Sequence, residues 1–207
     1  MCSRYGTAVT GNVRSCVATG EVDDATVWLR AAARDHFGAA IFDGKLYTIG
    51  GRHVVRENPV VENDAYDLAS GTWQSGLAPL PTERSGTATA LIGDEIVIFG
   101  GERYWSQPPR KSVEAYSPTT DTWRSLPDML VGAHGIQAAM CNGAVYLAGG
   151  ATSAGAKDPS TFFQEYQPAG SGPCPGSAPV TTPSPTRLPP LTRRAGRVSP
   201  NARYCAL

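Results

Sequence analysis

The sequence predicts an all-β chain of four-stranded units that repeat about every 50 residues, ending in a Pro- and Arg-rich tail. Three observations carry that reading. Gly50-Gly51, Gly100-Gly101 and Gly149-Gly150 recur at spacings of 50 and 49. Tyr66, Tyr116 and Tyr166 recur at 50 and 50, and Trp73 and Trp123 stand 50 apart. The apolar runs are short and punctuated by turn residues, with no 3.6-residue periodicity. Several markers sharing one period are the signature of a repeat architecture.

Each unit opens with a hairpin. In the first, Phe37–Phe42 is followed by Asp43-Gly44 and then Lys45–Ile49. Asp-Gly between apolar runs signals a two-residue turn, because its central residues need positive φ. The second unit repeats this as Ala90–Ile92, Gly93-Asp94 and Glu95–Phe99. The third has Ala138–Cys141, Asn142-Gly143 and Ala144–Leu147. We label these strands A and B. After the double glycine comes an irregular stretch, then a second hairpin of strands C and D. It runs Val61–Leu68, a turn at Ala69-Ser70-Gly71, and Thr72-Trp73. In the second unit it runs Ser112–Tyr116, a turn over 117–121, and Thr122-Trp123. The third unit has Tyr166 but Pro173 where the tryptophan belongs. Residues 1–29 form an N-terminal segment that holds the end of a preceding unit, with Trp28 as its strand-D tryptophan. The recurring glycines imply backbone at positive φ, or another backbone close by. The tyrosines and tryptophans are read as packing residues.

Composition narrows the function. Lys+Arg and Asp+Glu are both 18, so the net charge is zero, which argues against nucleic acid as the main partner. A hydrophobic fraction of 41% supports a packed core. No apolar run approaches the roughly 18 residues of a membrane span, so no membrane partner is expected. The five cysteines, at 2, 16, 141, 174 and 205, are odd in number and widely spaced, with no Cys-x-x-Cys. They suggest neither a disulfide framework nor a zinc site. Together with the absence of an apolar leader in residues 1–12, they favour a cytoplasmic setting, with an extracellular one if the N-terminus is incomplete. Residues 169–207 hold five arginines, no acidic residue and eight of the 17 prolines, and are read as disordered. The remaining 168 residues carry 18 − 5 = 13 basic and 18 acidic groups, a net charge of −5.

An apolar run ending in Gly-Gly, a downstream Tyr and a Trp seven residues later resembles the kelch repeat over about residues 30–168. The units are 30–79, 80–129 and an incomplete 130–168. The segments Arg34–Gly38 and Gly132–Gly135 are similar to the galactose-oxidase-like branch of that family. The resemblance implies a β-propeller, here a partial one of about 2.5–3 four-stranded blades, and so a fragment or an open arc that could self-associate. In such a propeller the B–C and D–A loops meet on one face.

That loop face carries the function expectation. Arg34, Arg84, Arg103, Tyr104, Trp105, Arg52, His36 and His134 are its candidate binding residues, because loops on a rigid scaffold carry binding and Arg, Tyr and Trp are enriched at hot spots. The expected partner is a protein, or alternatively a glycan, bound by a non-enzymatic interaction module. The competing reading is a fragment of a galactose-oxidase-like or carbohydrate-acting enzyme. Its copper chemistry needs two tyrosines, two histidines and a thioether-forming cysteine. Tyr66 and Tyr116 already belong to the repeat, so no catalytic residue, metal ligand or cofactor is assigned. Asp35 beside His36 is expected to point to the opposite face, as successive strand residues do.

Overall fold

A computed structural model of the 207-residue chain describes residues 2–5, 13–16, 34–53, 59–103, 107–153, 158–172 and 174–176. Trp28, Tyr104, Trp105 and the tail beyond residue 176 lie outside the described residues. Residues 169–172 and 174–176, also expected to be disordered, are held in place by hydrogen bonds and a disulfide. The chain divides into two units at Pro175/Gly176, and the first holds every strand described below.

Thirteen strands and no helix are present among the described residues. An isolated antiparallel pair, β1 (Cys2–Tyr5) and β2 (Val13–Cys16), precedes the repeats. Blade 1 is a four-stranded antiparallel sheet of β3 (Gly38–Phe42), β4 (Lys45–Ile49), β5 (Asn63–Asp67) and β6 (Thr72–Gln74). Blade 2 repeats the order with β7 (Ala88–Ile92), β8 (Glu95–Phe99), β9 (Val113–Ser117) and β10 (Thr122–Leu126). Blade 3 has three strands, β11 (Gln137–Cys141), β12 (Ala144–Ala148) and β13 (Phe163–Tyr166). The A–B turns match their residue types. Asp43-Gly44 and Asn142-Gly143 have positive φ at both positions, whereas in Gly93-Asp94 only the glycine does.

Packing follows the two-residue alternation of a strand. On β8, Ile96 and Ile98 face blade 1 and join a core with Tyr47, Ile49, Leu80 and Tyr116. Val97 and Phe99 face the other way, into a core with Val113, Ala115, Ile136, Val145 and Leu147. Blade 2 is thus packed on both faces, and β8 from Ile96 to Phe99 is a continuous buried apolar run.

The double glycines are where neighbouring blades meet. Gly51 donates its N–H to the carbonyl of Arg84 at 3.0 Å, and Gly101 to that of Ala133 at 2.8 Å. Gly100 has φ +61°, and a Cβ there would lie 2.5 Å from the Ala133 oxygen. Both its backbone angle and its surroundings therefore require glycine. Trp73 lies opposite Tyr66 in the β5–β6 register and Trp123 opposite Tyr116 in β9–β10, with ring centroids 5.2 and 5.1 Å apart.

One expectation is overturned. Cys141 and Cys174 form a disulfide across 33 residues of sequence. The chain after β13 folds back over the β11–β12 turn, where Gly172 donates its N–H to the Asn142 carbonyl. Tertiary folding brings the two cysteines together, and no spacing rule announces it. The argument for a reducing compartment drawn from unpaired cysteines lapses with it. No helix among the described residues is long and apolar enough to cross a membrane.

Candidate functional site

The start of each A strand, entered from the D–A loop, is bridged to the residue following the double glycine. These bridges are Asp35 with Arg52, Ser85 with Glu102, and His134 with Ala151. A second row of hydrogen bonds links blade to blade. Gly86 donates to the His36 carbonyl at 2.9 Å, and Gly135 to the Gly86 carbonyl at 2.7 Å. The three residues in that row have φ of +55°, +64° and +63°. Blades 2 and 3 meet this demand with glycine. Blade 1 places a histidine there, an unfavourable conformation for a bulky residue.

That conformation corrects the expectation for Asp35. At His36 the backbone leaves the extended region, so neighbouring side chains no longer alternate. Asp35 Oδ1 lies 2.9 Å from His36 Nδ1 and also accepts from Arg52 Nε at 2.9 Å. Arg52 approaches His36 Nε2 at 3.3 Å. A guanidinium can only donate, so Nε2 accepts and Nδ1–H faces the carboxylate. Burial opposes ionisation of Asp35, but the hydrogen bonds from Arg52 and His36 outweigh it and hold the carboxyl below its usual range. His36 and Asp35 remain 46% and 40% exposed at the side chain. The trio is a preassembled polar cluster on the rim, partly exposed to solvent.

The side chains of Arg34 and Arg84 are buried and paired within their own blades. Arg84 is fully buried. It donates to the carbonyls of Gly100 and Ser112 and pairs with Glu114. Desolvation lowers its pKa, and the Glu114 carboxylate partly offsets that. Arg34 does the same in blade 1, donating to Asp64 at 2.7 Å and to the Thr48 carbonyl at 2.8 Å. The 50-residue offset of these arginines thus records a bridge between strands B and C. Asp64 and Glu114 share that offset, a signal the sequence reading passed over. In blade 3 the arginine position is Ala133. There Gln164 takes over, its amide bonding both the N–H and the carbonyl of Val131 at 2.9 Å.

The remaining candidates divide. His134 is buried, its Nε2 donating to the Ser153 carbonyl at 2.9 Å and its Nδ1 lying 3.5 Å from Glu102. Arg103 reaches the surface but is paired with Glu83. Asp35, Glu83 and Glu102 therefore neutralise a rim that the arginines alone would make basic. Among the described residues no group of three or more His, Cys, Asp and Glu is gathered so as to hold a metal ion.

The architecture and the comparisons agree. The kelch motif matches residues 33–76 and 83–130. This chain belongs to the kelch-repeat family. It is similar to Kelch-like protein terF of Aspergillus terreus, 34% identical over 66% of this chain and 30% of that protein. It is also similar to Kelch-like protein 41 of Rattus norvegicus, 27% identical over 58% of this chain and 20% of that protein. Alpha-scruin of Limulus polyphemus is 30% identical over 65% of this chain and 14% of its own length. The kelch chain thus spans less than a third of each of these relatives. No copper-ligand set is assigned to it, and the finer likeness to galactose oxidase gains no specific support.

Proposed function

We propose that these kelch blades form a non-enzymatic interaction module that binds a protein partner at the loop rim, with Asp35, His36 and Arg52 as the contact cluster. The observation that carries this reading is His36 held at φ +55° where the other two blades have glycine. A strained side chain exposed in a ready-made hydrogen-bond cluster contributes nothing evident to packing, and such strain gathers at binding sites. Arg103, which reaches the surface beside Glu83, extends the contact surface along the rim.

The cluster offers both a carboxylate and a guanidinium, so it suits a partner segment of mixed charge rather than a purely acidic one. The test is a His36→Gly, Arg52→Ala double variant. Glycine suits the backbone angle at position 36, so the fold is retained and the melting temperature changes little. Partners cross-linked to the wild-type chain in cell extract are lost with the variant. Undiminished capture of the same proteins rejects the assignment.

A further inference from the structure

The repeat fills a slot between blades 1 and 2 and leaves the equivalent slot open between blades 2 and 3. Between blades 1 and 2 the slot is filled by Trp123, which stacks on Tyr116 and donates Nε1–H to the carbonyl of Ala78 at 2.8 Å. Phe42 and Leu77 pack into the same cluster. One repeat later the corresponding residues are Tyr166, Pro127, Ile92 and Leu126. The offset is fixed by equivalent backbone bonds, Leu80 to Val61 and Met129 to Lys111, each 2.8 Å. The tryptophans stand seven residues after Tyr66 and Tyr116, but seven after Tyr166 the sequence has Pro173. At this place a cavity of about 280 Å³ opens, lined among others by Ile92, Val97, Leu126, Pro127 and Tyr166. That volume falls just below the roughly 300–1,000 Å³ of drug-sized ligand sites, and so fits a single ring system.

Beside the cavity lies the β13 edge of blade 3. Among the described residues β13 pairs only with β12, whereas β5 and β9 each carry a fourth strand. Cys174 is tied to Cys141 and donates its N–H to the Tyr146 hydroxyl at 3.2 Å. Tyr146 lies on the face of β12 opposite Val145 and Leu147, the residues that pack toward blade 2. Gln167, Pro168 and Ala169 continue the cavity wall directly after β13, and the disulfide then holds Cys174 on the far face of blade 3, beside Tyr146, which donates to Glu165 at 3.1 Å.

We propose that the β13 edge and this cavity form a docking site for an extended, tryptophan-bearing peptide segment of a partner protein. The segment adds antiparallel to β13, as β6 and β10 add to β5 and β9, and its indole enters the cavity against Tyr166. The site continues the interblade interface that Trp123 closes one repeat earlier. Main-chain bonds to the edge supply affinity, and the ring pocket supplies specificity. The register adds a charge preference. With tryptophan opposite Tyr166, the next residue of the peptide falls opposite Glu165, just as Arg124 falls opposite Ala115. A basic residue there is favoured. This site lies at the A–B and C–D turns, so it does not depend on the rim reading.

The probe is a capped synthetic peptide with the sequence of residues 121–126, Asp-Thr-Trp-Arg-Ser-Leu, titrated into the full oxidised chain. Calorimetry should show saturable 1:1 binding. Replacing the peptide's tryptophan by alanine should weaken it at least about tenfold. A Val97→Trp variant that fills the cavity should abolish binding. If that variant misfolds, amide shift mapping on the wild-type chain decides, with changes expected at β13, Ile92 and Leu126. The absence of saturable binding, equal binding of the alanine peptide, or shifts confined to the rim would overturn the proposal. So would contacts from the chain's own Trp28 or Trp105 to Tyr166 in the free protein.

Discussion

Gly100 and Gly149 occupy the same repeat position with the same backbone, yet alanine should affect them differently. Their φ values are +61° and +67°. Placing alanine in that region costs roughly 1–2 kcal/mol, and the stiffer unfolded chain returns about 0.4–1. Gly149→Ala should therefore destabilise by about 1 kcal/mol, since its Cβ meets nothing nearer than the Ser160 oxygen at 4.0 Å. At Gly100 the Cβ lies 2.5 Å from the Ala133 carbonyl oxygen. That atom cannot swing aside as a side chain could, and it also accepts the Gly101 N–H. Overpacking adds about 1–3 kcal/mol, for a total of about 2–4. Urea unfolding followed by tryptophan fluorescence should place the Gly100→Ala midpoint below that of Gly149→Ala. With a slope of about 2 kcal/mol/M the gap is on the order of 1 M. Equal midpoints, or a larger loss at Gly149, would refute the claim that the second contact is what requires glycine.

Three further outcomes are expected. Arg84→Met leaves Glu114 buried without its cation and should cost about 3–5 kcal/mol in urea unfolding, while adding Glu114→Leu should recover most of it. Reducing the Cys141–Cys174 bridge frees a loop of 33 residues, so thermal unfolding under dithiothreitol should show a loss of about 3–4 kcal/mol; ready alkylation of both thiols in the untreated native protein would refute the bridge. Asp35 has a lowered folded pKa, so its contribution is present above about pH 4 and is lost as the pH falls through the lower folded value. Carboxyl NMR titration should show that midpoint rising toward the ordinary value in Arg52→Ala.

The legible part of this chain was its local chemistry. Asp43-Gly44 and Asn142-Gly143 announced their turns because few residues tolerate positive φ, and the strands on either side followed with bounds within a few residues. Tyr66/Trp73 and Tyr116/Trp123 were read as packing pairs, and they stack as cross-strand neighbours. The candidate site was less legible. Arg34 and Arg84 share their offset with buried acids, and a charged residue in a loop looks the same in sequence whether it faces solvent or a carboxylate. His36 could be aligned with Gly86 from sequence, but the meaning of that alignment, positive φ, needed the backbone.

The sequence by itself determined the period, the hairpins, the glycine positions and the family, because each rests on short-range sterics repeated in register. Only the tertiary structure decided which arginines are buried, that Asp35 and His36 share a face, that Cys141 meets Cys174, and that the slot beside Tyr166 stands open. These depend on residues dozens of positions apart meeting across blades, and no local propensity encodes such meetings. Burial then sets the outcome. A guanidinium out of water must find its carboxylate.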